Sequence, residues 1–388
     1  MSLWFWSVAG VYHLIVGGPA LVLGWLWRRH LAQRAAVGTG LAWIIVELIA
    51  LALLALSVAL TLGWLLPDVR FAQIRLLAQA LFGEDVLLLC WLTWLLRRRD
   101  ARWLAATAAL ALTALLAVYW EAYHREPFDL QVRHHTLDRS RGQSNSRARG
   151  RADGTLRILH LSDMQVWRVG AYEERVVRAA VALHPDIILM TGDYVQTRLT
   201  PDYWDRAAEL RELLRREGFG APLGIHAVPG DTDGDGVGLF DGLDVRWLRN
   251  ESRVIDLPGG WRLTLVGLTR DTSRRRGGRD ALEVVLAAPA TDLLIVMGHG
   301  PDFVAELAGR VPVDLALAGH THGGQIVLPF FGPPLTLTRL PRRYAAGGLN
   351  DYAGVPLHVS RGAGMERGSA PQIRFLCPPE ICLIEMRY

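Results

Sequence analysis

The sequence predicts two structural parts, an N-terminal four-helix transmembrane bundle and a C-terminal α/β domain. Three observations support this division. The chain has 388 residues, and its hydrophobic content of 51% is concentrated in the first 120 residues. From residue 155 onward, short apolar strands alternate with helical segments, as is typical of α/β folds. Polar side chains follow several of these strands directly, where open α/β sheets place their ligands.

Four apolar segments within residues 1–120 predict the membrane part. They span residues 4–27, 41–66, 76–96 and 103–120, lengths that suit helices crossing a bilayer. The first segment follows the start MSLWFW, which lacks the positive residues of a signal peptide. We therefore expect this helix to be retained as part of an integral membrane protein.

The arginines between these helices predict the topology. Three lie in residues 28–34 and four in residues 97–102. The positive-inside rule places both of these loops in the cytoplasm, so both termini lie on the other side. We expect an inner- or plasma-membrane protein whose C-terminal domain is extracytoplasmic.

Residues 121–154 are predicted to form an arginine-rich, disordered linker. The stretch 133–154 has almost no large apolar side chain and cannot bury a core. Its arginines could contact anionic headgroups of the lipid bilayer. Without interleaved aromatic residues or a binding fold, a nucleic-acid partner is not expected.

Composition excludes some chemistry in advance. The basic residues are all arginine, which rules out a P-loop and Schiff-base lysine catalysis. Cys90, Cys377 and Cys382 have no metal-ligand spacing, and we predict no disulfide.

The elements of the C-terminal domain, residues 155–388, follow in order. A strand ends at Asp163, and a helix over 171–184 leads to a second strand that ends at Asp193. A helix over 201–217 leads to a third strand, which runs into Asp231. Later apolar strands end at His299 and at the histidines of AGHTHGGQ (318–325).

Seven residues at these strand ends carry oxygen or imidazole donors. They are Asp163, Gln165, Asp193, Asp231, His299, His320 and His322. Histidines at i and i+2 of an extended segment point the same way, and the flanking glycines allow a close approach of the backbone. The set can hold two divalent cations about 3.5–4 Å apart, as in two-metal hydrolysis of phosphate esters.

Five motifs in this order resemble the calcineurin-like metallophosphoesterases. They are SDMQ (162–165), TGDYVQ (191–196), PGDTD (229–233), MGHGPD (297–302) and AGHTHGGQ (318–325). The tail at 359–386 resembles a membrane-associated bacterial branch of the family, some of whose members cleave phosphorylated lipids, including a UDP-diacylglucosamine pyrophosphate bond. The resemblance implies an αββα two-sheet sandwich.

The resemblance also implies roles for the site residues. One metal would take Asp163, Gln165 and His322, and the other would take Asp231, His299 and His320. Asp193 would bridge the two metals, and a hydroxide between them would attack phosphorus. Asp193 and His299 are thus predicted to be catalytic. Asp233 is either a further catalytic residue that orients a histidine or a turn aspartate.

Four positions depart from the family pattern. Gln165 replaces a histidine ligand and Asp231 an asparagine, so the donor set is richer in oxygen and favours Mn²⁺, Fe²⁺ or Mg²⁺, with Zn²⁺ possible. Thr232 replaces the histidine that binds phosphate or protonates the leaving group. General acid catalysis of this kind accelerates a reaction by about 10²–10⁴-fold. Gln196 replaces an aspartate outside the ligand set.

Two functions fit these residues. The first is a membrane-anchored, metal-dependent phosphoesterase acting on a phosphate ester or pyrophosphate bond of a lipid or cell-envelope substrate. The alternative is a metal-binding regulatory or scaffold membrane protein without catalysis, which Thr232 favours. His160 and His226 lie within strands, where most histidines are simply part of the core.

Overall fold

A computed structural model describes residues 85–98, 102–138, 154–196, 202–274, 280–367 and 370–388, with four positions between 75 and 83. The chain divides into two compact units. One contains residues 1–119 with 369–371, and the other contains residues 120–368 with 372–388. The first unit ends at residue 119, and the apolar region of the sequence is predicted to end at residue 120.

The described part of the first unit is helical. Helix α1 is Asp85–Arg98 and helix α2 is Arg102–Trp120. Among the described residues, one helical stretch, Arg102–Phe128, is long and apolar enough to cross a membrane, and only 6% of its most apolar window is buried. Two of the four predicted spans, 4–27 and 41–66, lie outside the described residues, so the four-helix bundle stays a prediction.

The second unit contains two mixed β-sheets of six strands each. The first sheet has the order β1-β12-β2-β3-β4-β5. Its strands are β1 (Gln131–Asp138), β2 (Thr155–Leu161), β3 (Ile187–Met190), β4 (Ile225–Ala227), β5 (Val245–Trp247) and β12 (Glu380–Arg387). Strands β2 to β5 run parallel, and β12 is antiparallel to β2 but parallel to β1.

The second sheet has the order β10-β11-β9-β8-β7-β6. Its strands are β6 (Glu251–Asp256), β7 (Arg262–Gly267), β8 (Leu293–Met297), β9 (Leu315–Ala318), β10 (Gly348–Tyr352) and β11 (Val355–Val359). The four central strands are parallel, and the two edge strands are antiparallel to their neighbours.

Helices cover the outer faces of the two sheets. Those covering the first sheet are α3 (Ala171–Ala182) and α4 (Tyr203–Arg216), and the others are α5 (Arg270–Ser273), α6 (Ala281–Leu286), α7 (Val304–Leu307) and α8 (Arg342–Ala345). Alternate residues of each buried strand point to opposite faces. Ile158 and Leu265 therefore pack in the core between the sheets, whereas Leu159 faces α3 and Val266 faces α6. The result is the αββα layering that the resemblance implied.

The predicted linker needs a correction at its first half. Residues Gln131–Asp138 form strand β1, which pairs in parallel with β12 over its whole length. Upstream of β1, the buried Glu126 carboxylate accepts hydrogen bonds from the N–H groups of Leu376, at 2.8 Å, and Cys377. An edge strand needs a ladder of backbone hydrogen bonds more than large apolar side chains, so composition alone was misleading. Residues 139–153 lie outside the described residues.

Candidate metal centre

The predicted donors lie on loops at the carboxyl ends of β2, β3, β4, β8 and β9. Backbone hydrogen bonds join the first two loops, from Asp163 N–H to Gly192 O at 2.9 Å and from Gln165 N–H to Asp193 O at 2.8 Å. The two sheets therefore deliver all seven predicted donors to one end of the domain.

The backbone at the site is strained. Five of the seven predicted donors have left-handed backbone angles: φ is 49° at Asp163, 41° at Gln165, 57° at Asp193, 67° at His320 and 50° at His322. Residues other than glycine rarely adopt this region, and such residues cluster at functional sites. The surrounding fold holds them in a costly conformation that aims their side chains inward.

The first group of donors consists of Asp163, Asp193 and His322. All three are buried, and one ligand atom of each lies within 4.8 Å of those of the others. His322 Nε2 is 3.3 Å from Asp163 Oδ1. Burial raises the pKa of Asp163 to about 7, and burial together with Arg374 lowers the pKa of His322.

The second group consists of Asp231, His299 and His320, again with ligand atoms within 4.8 Å of one another. His320 Nδ1 is 3.0 Å and His299 Nε2 is 3.8 Å from Asp231 Oδ2. Asp193 connects the groups, since its Oδ2 is 3.4 Å from His299 Nε2. This is the position that the predicted bridging role requires.

The histidine ring atoms fit a site for cations. His299 Nδ1 is 2.7 Å from the carbonyl oxygen of Thr191, so this nitrogen donates a hydrogen bond there, and Nε2 is the nitrogen that faces the carboxylates. Within the described residues, His299 Nε2, His320 Nε2, His322 Nδ1 and Gln165 Oε1 are buried without a hydrogen-bond partner. Of these atoms, His299 Nε2 faces the carboxylates of Asp193 and Asp231, at 3.4 and 3.8 Å, where a bound cation would satisfy it.

The charge of the site also favours bound cations. Burial alone would lower the pKa of His299, but Asp193, Asp163 and Asp231 raise it well above its usual value. This negative field favours any nearby positive charge. A raised pKa means that His299 holds a second proton, on Nε2, and a cation bound at Nε2 would take the place of this proton.

Glycines allow the loops to pack closely. Gly192 has φ of 98°, and a Cβ there would lie 2.7 Å from both the Gly230 backbone and His299 Nδ1. Only glycine fits between these groups without displacing them.

Glu366 was not predicted from the sequence. It contacts Gln165 and Gln196, two residues that depart from the family pattern. Its carboxylate accepts hydrogen bonds from Gln165 Nε2 at 3.0 Å and from Gln196 Nε2 at 2.9 Å. Gln165 Nε2 also lies 3.4 Å from Asp193 Oδ2. One carboxylate thus holds both amides, and its position in MERG (365–368) gave no signal of this.

Arg274 was also missed, and it contacts Asp231. Its Nη1 donates to both carboxylate oxygens of Asp231, at 2.6 and 2.8 Å, while the Asp231 side chain is 31% exposed. Burial alone would raise the pKa of Asp231, but His320, His299 and Arg274 lower it. Arg274 thereby offsets the negative charge that Asp231 adds to the family's donor set.

Thr232 and Asp233 both support Asp193. The Thr232 N–H and hydroxyl donate to Asp193 Oδ1, at 2.8 and 3.2 Å. The buried Asp233 carboxylate accepts from the N–H groups of Asp193 at 2.6 Å, Gly230 at 2.8 Å and Tyr194 at 3.0 Å. Of the two roles expected for Asp233, these bonds fit the turn aspartate, because they hold the backbone of the Asp193 loop.

Comparison with known proteins agrees with this geometry. Residues 156–324 match the family described as calcineurin-like phosphoesterase. The uncharacterized metallophosphoesterase YkuE of Bacillus subtilis is 30% identical over 291 residues, which cover 73% of this chain and 94% of that protein. The phosphodiesterase YaeI of Escherichia coli is 29% identical over 236 residues, 59% of this chain and 82% of that protein.

A third relative matches over a shorter stretch. The UDP-2,3-diacylglucosamine pyrophosphatase LpxG of Chlamydia trachomatis is 37% identical over 100 residues, 24% of this chain and 29% of that protein. Together with the two sheets and the clustered donors, these matches show that the chain belongs to the calcineurin-like metallophosphoesterases. It is a hydrolase that acts on phosphoester bonds.

Proposed function

We propose that this protein is a membrane-anchored, two-metal phosphoesterase that cleaves a phosphate ester or pyrophosphate bond in a lipid or cell-envelope substrate. The observation that carries the proposal is the meeting of two donor groups at Asp193. Asp163, Gln165 and His322 would hold one divalent ion, and Asp231, His299 and His320 would hold the other. The oxygen-rich set favours Mn²⁺, Fe²⁺ or Mg²⁺ over Zn²⁺.

When bound, the ions supply Lewis acidity, activate water and orient the phosphate for in-line displacement. The residues of the chain prepare the site for this chemistry. The contact between His299 and the Thr191 carbonyl sets the tautomer that a metal ligand needs. Asp233 holds the main chain of Asp193 through its hydrogen bond at 2.6 Å, and so aims the bridging carboxylate.

Glu366 compensates for glutamine at a histidine position. A neutral amide is a weaker ligand than imidazole and can rotate. The hydrogen bond from Gln165 Nε2 to Glu366 restrains that rotation. Gln165 Oε1 is buried and has no hydrogen-bond partner among the described residues. We infer that Glu366 is a positioning residue for Gln165.

Thr232 limits the choice of leaving group. Its hydroxyl is engaged with Asp193 and has no acidic proton to give to a departing alkoxide at neutral pH. A phosphate or aryl oxide leaves without such help. Pyrophosphate bonds and activated esters are therefore the favoured substrates, which agrees with the activity named for the chlamydial relative.

Exposed apolar side chains support a substrate in a membrane. The turn that follows the histidine motif is closed by a bridge between Leu328 and Gly332. At its tip Phe330 is fully exposed, Phe331 is 54% exposed, and Arg342 stacks on the Phe331 ring at 3.9 Å. Aromatic and arginine side chains together suit the headgroup region of a bilayer. The apolar helix Arg102–Phe128 supports membrane attachment independently.

The test uses full-length protein purified in detergent and loaded with Mn²⁺. Elemental analysis should give two ions per chain, with at least one lost in His322→Ala and in Asp193→Ala. Hydrolysis of bis-nitrophenyl phosphate should fall by at least ~10²-fold in both variants. His226→Gln is the matched control, because His226 is a buried histidine that contacts the Leu223 carbonyl at 3.2 Å, outside the two donor groups.

The lipid part of the proposal needs its own comparison. Phe330→Ser with Phe331→Ser should slow cleavage of a lipid pyrophosphate in vesicles several-fold and leave nitrophenyl ester hydrolysis unchanged. Equal rates on the vesicle substrate would exclude a role for this turn. A protein that binds two ions but hydrolyses neither substrate would overturn the catalytic proposal and favour the regulatory alternative.

A further inference from the structure

A second cluster of side chains that can ligate metals lies between the two sheets and shares no residue with the candidate centre. It contains His135 on β1, Cys382 on β12 and His358 on β11. One ligand atom of each lies within 4.8 Å of those of the other two. Neither the family match nor the motifs of the chain account for this cluster.

Strand register explains why these side chains meet. Cys382 is paired with His160 of β2, and His135 is paired with Ile384 of β12. Paired residues share a face, and so do residues two apart on one strand. Cys382 and Ile384 belong to the core between the sheets, so His135 and His160 also point toward the second sheet, where His358 lies.

A chain of hydrogen bonds joins His358 to the candidate centre. His358 Nδ1 is 2.7 Å from His160 Nδ1, and His160 Nε2 is 2.9 Å from the Thr191 hydroxyl. That hydroxyl donates to Ser162 Oγ at 2.7 Å, and Ser162 donates to Asp163 Oδ2 at 2.5 Å. Every link is buried.

The order of donors along this chain sets the tautomer of His358. Thr191 donates its single hydroxyl proton to Ser162, and Ser162 donates its own to Asp163, so the Thr191 hydroxyl can only accept from His160. His160 must then donate from Nε2 and accept at Nδ1, so His358 must donate from Nδ1. The remaining nitrogen, His358 Nε2, therefore carries a lone pair.

That lone pair has no partner among the described residues, although His358 is fully buried. An unpaired buried acceptor is destabilising, so such atoms are rare in folded proteins. Burial, together with His160, keeps the pKa of His358 well below its usual value, so the imidazole is neutral. A neutral imidazole whose other nitrogen donates a hydrogen bond is the form that ligates metals.

We propose that His135, His358 and Cys382 form a third metal site, distinct from the phosphoesterase centre, which takes a soft divalent cation such as Zn²⁺. Two imidazoles and a thiolate suit Zn²⁺, unlike the oxygen-rich centre at Asp193. Binding releases the Cys382 thiol proton to solvent. His135 is half-buried on the edge strand. Three protein ligands would leave the fourth position of a tetrahedral ion to water. The ion would link β1 to β11 and β12 through these three side chains.

The experiment uses full-length, metal-stripped protein with Cys90→Ser, since Cys90 is an exposed thiol. Titration with Co²⁺ should produce sulfur-to-cobalt charge-transfer absorption in the near ultraviolet, a signal that oxygen and nitrogen donors do not give. Cys382→Ser should abolish it. Cys377→Ser, which removes an equally buried thiol, should retain it.

Two further measurements keep the test decisive if Cys382→Ser does not fold. His135→Gln alters only a half-buried edge residue and should weaken Co²⁺ binding at this site at least ~10-fold. Zn²⁺ at 100 times its Kd should raise the unfolding free energy of the parent protein by about 2.7 kcal/mol, and that of His135→Gln by no more than about 1.4 kcal/mol at the same concentration. Absence of the band, its persistence in Cys382→Ser, its loss in Cys377→Ser, or unchanged binding in His135→Gln would each overturn the proposal.

Discussion

Thr232→His tests the link between this position and the choice of leaving group. The main-chain N–H of residue 232, which donates to Asp193 Oδ1 at 2.8 Å, survives the substitution. Only the longer hydroxyl bond of 3.2 Å is lost, so the expected loss of stability is about 1 kcal/mol. The variant should therefore fold and present an imidazole beside the bridging carboxylate.

The rate change depends on the bond that breaks. A general acid contributes about 10²–10⁴-fold when the leaving group is a poor one. We expect Thr232→His to accelerate cleavage of simple alkyl esters by up to ~10²-fold, which is about 2.7 kcal/mol of barrier. Cleavage of nitrophenyl esters should change little, because nitrophenolate needs no proton.

The assay measures kcat/KM for phosphodiesters of graded leaving-group pKa. The natural protein should show a steep dependence and Thr232→His a shallower one. Thr232→Val is the matched control, since it removes the hydroxyl without adding an acid. A flat dependence in the natural protein would refute the reasoning, because another group would then already supply the proton.

Asp231 provides a second arm of the same experiment. Asp231→Asn removes one negative charge and one of the two oxygens that accept from Arg274, at 2.6 and 2.8 Å. Both changes make the site more attractive to an anionic substrate. The double variant with Thr232→His should exceed either single variant on alkyl esters, and a double variant no better than Thr232→His alone would show that the charge of Asp231 is immaterial.

Three other outcomes are expected. Nearby carboxylates raise the pKa of His299, so its Nε2 proton must leave before a metal binds there. Calorimetry should therefore show metal affinity increasing as pH rises through that pKa. Metal affinity that does not change with pH would contradict this. Arg374 is fully buried and donates to the carbonyls of Gly364, Cys377 and Arg361. Arg374→Met should therefore lower the free energy of unfolding by about 3 kcal/mol, measured by denaturation. Arg310→Met, on the surface, is the control. A C-terminal reporter fusion should be active outside the cytoplasm, as the arginine loops predict, and activity confined to the cytoplasm would reverse the topology.

The fold was predictable to the extent that its signals are local. Buried parallel strands are short apolar runs, and the runs that end at Asp163, Asp193 and His299 became β2, β3 and β8. The edge strand β1 was predicted as linker, because its side chains are mostly exposed and its main contacts are backbone hydrogen bonds to a strand about 250 residues later. Such pairing leaves little trace in local composition.

The same distinction applies to the candidate site. Motif order pointed to the seven donors, since each follows a strand and all parallel strands of a sheet end at one edge. Glu366 and Arg274 could not be inferred, because an ordinary surface glutamate or arginine has the same local sequence. Their contacts with Gln165 and Asp231 depend on two loops that only the packed domain brings together.

Local pattern was therefore enough to predict the α/β class, the candidate donor residues and the apolar N-terminal region, because strand period, loop chemistry and hydropathy are properties of short segments. The tertiary structure decided how the departures from the family pattern are compensated and where His135, His358 and Cys382 meet. Those features depend on distances between residues far apart in the chain, which are set when the two sheets pack against each other.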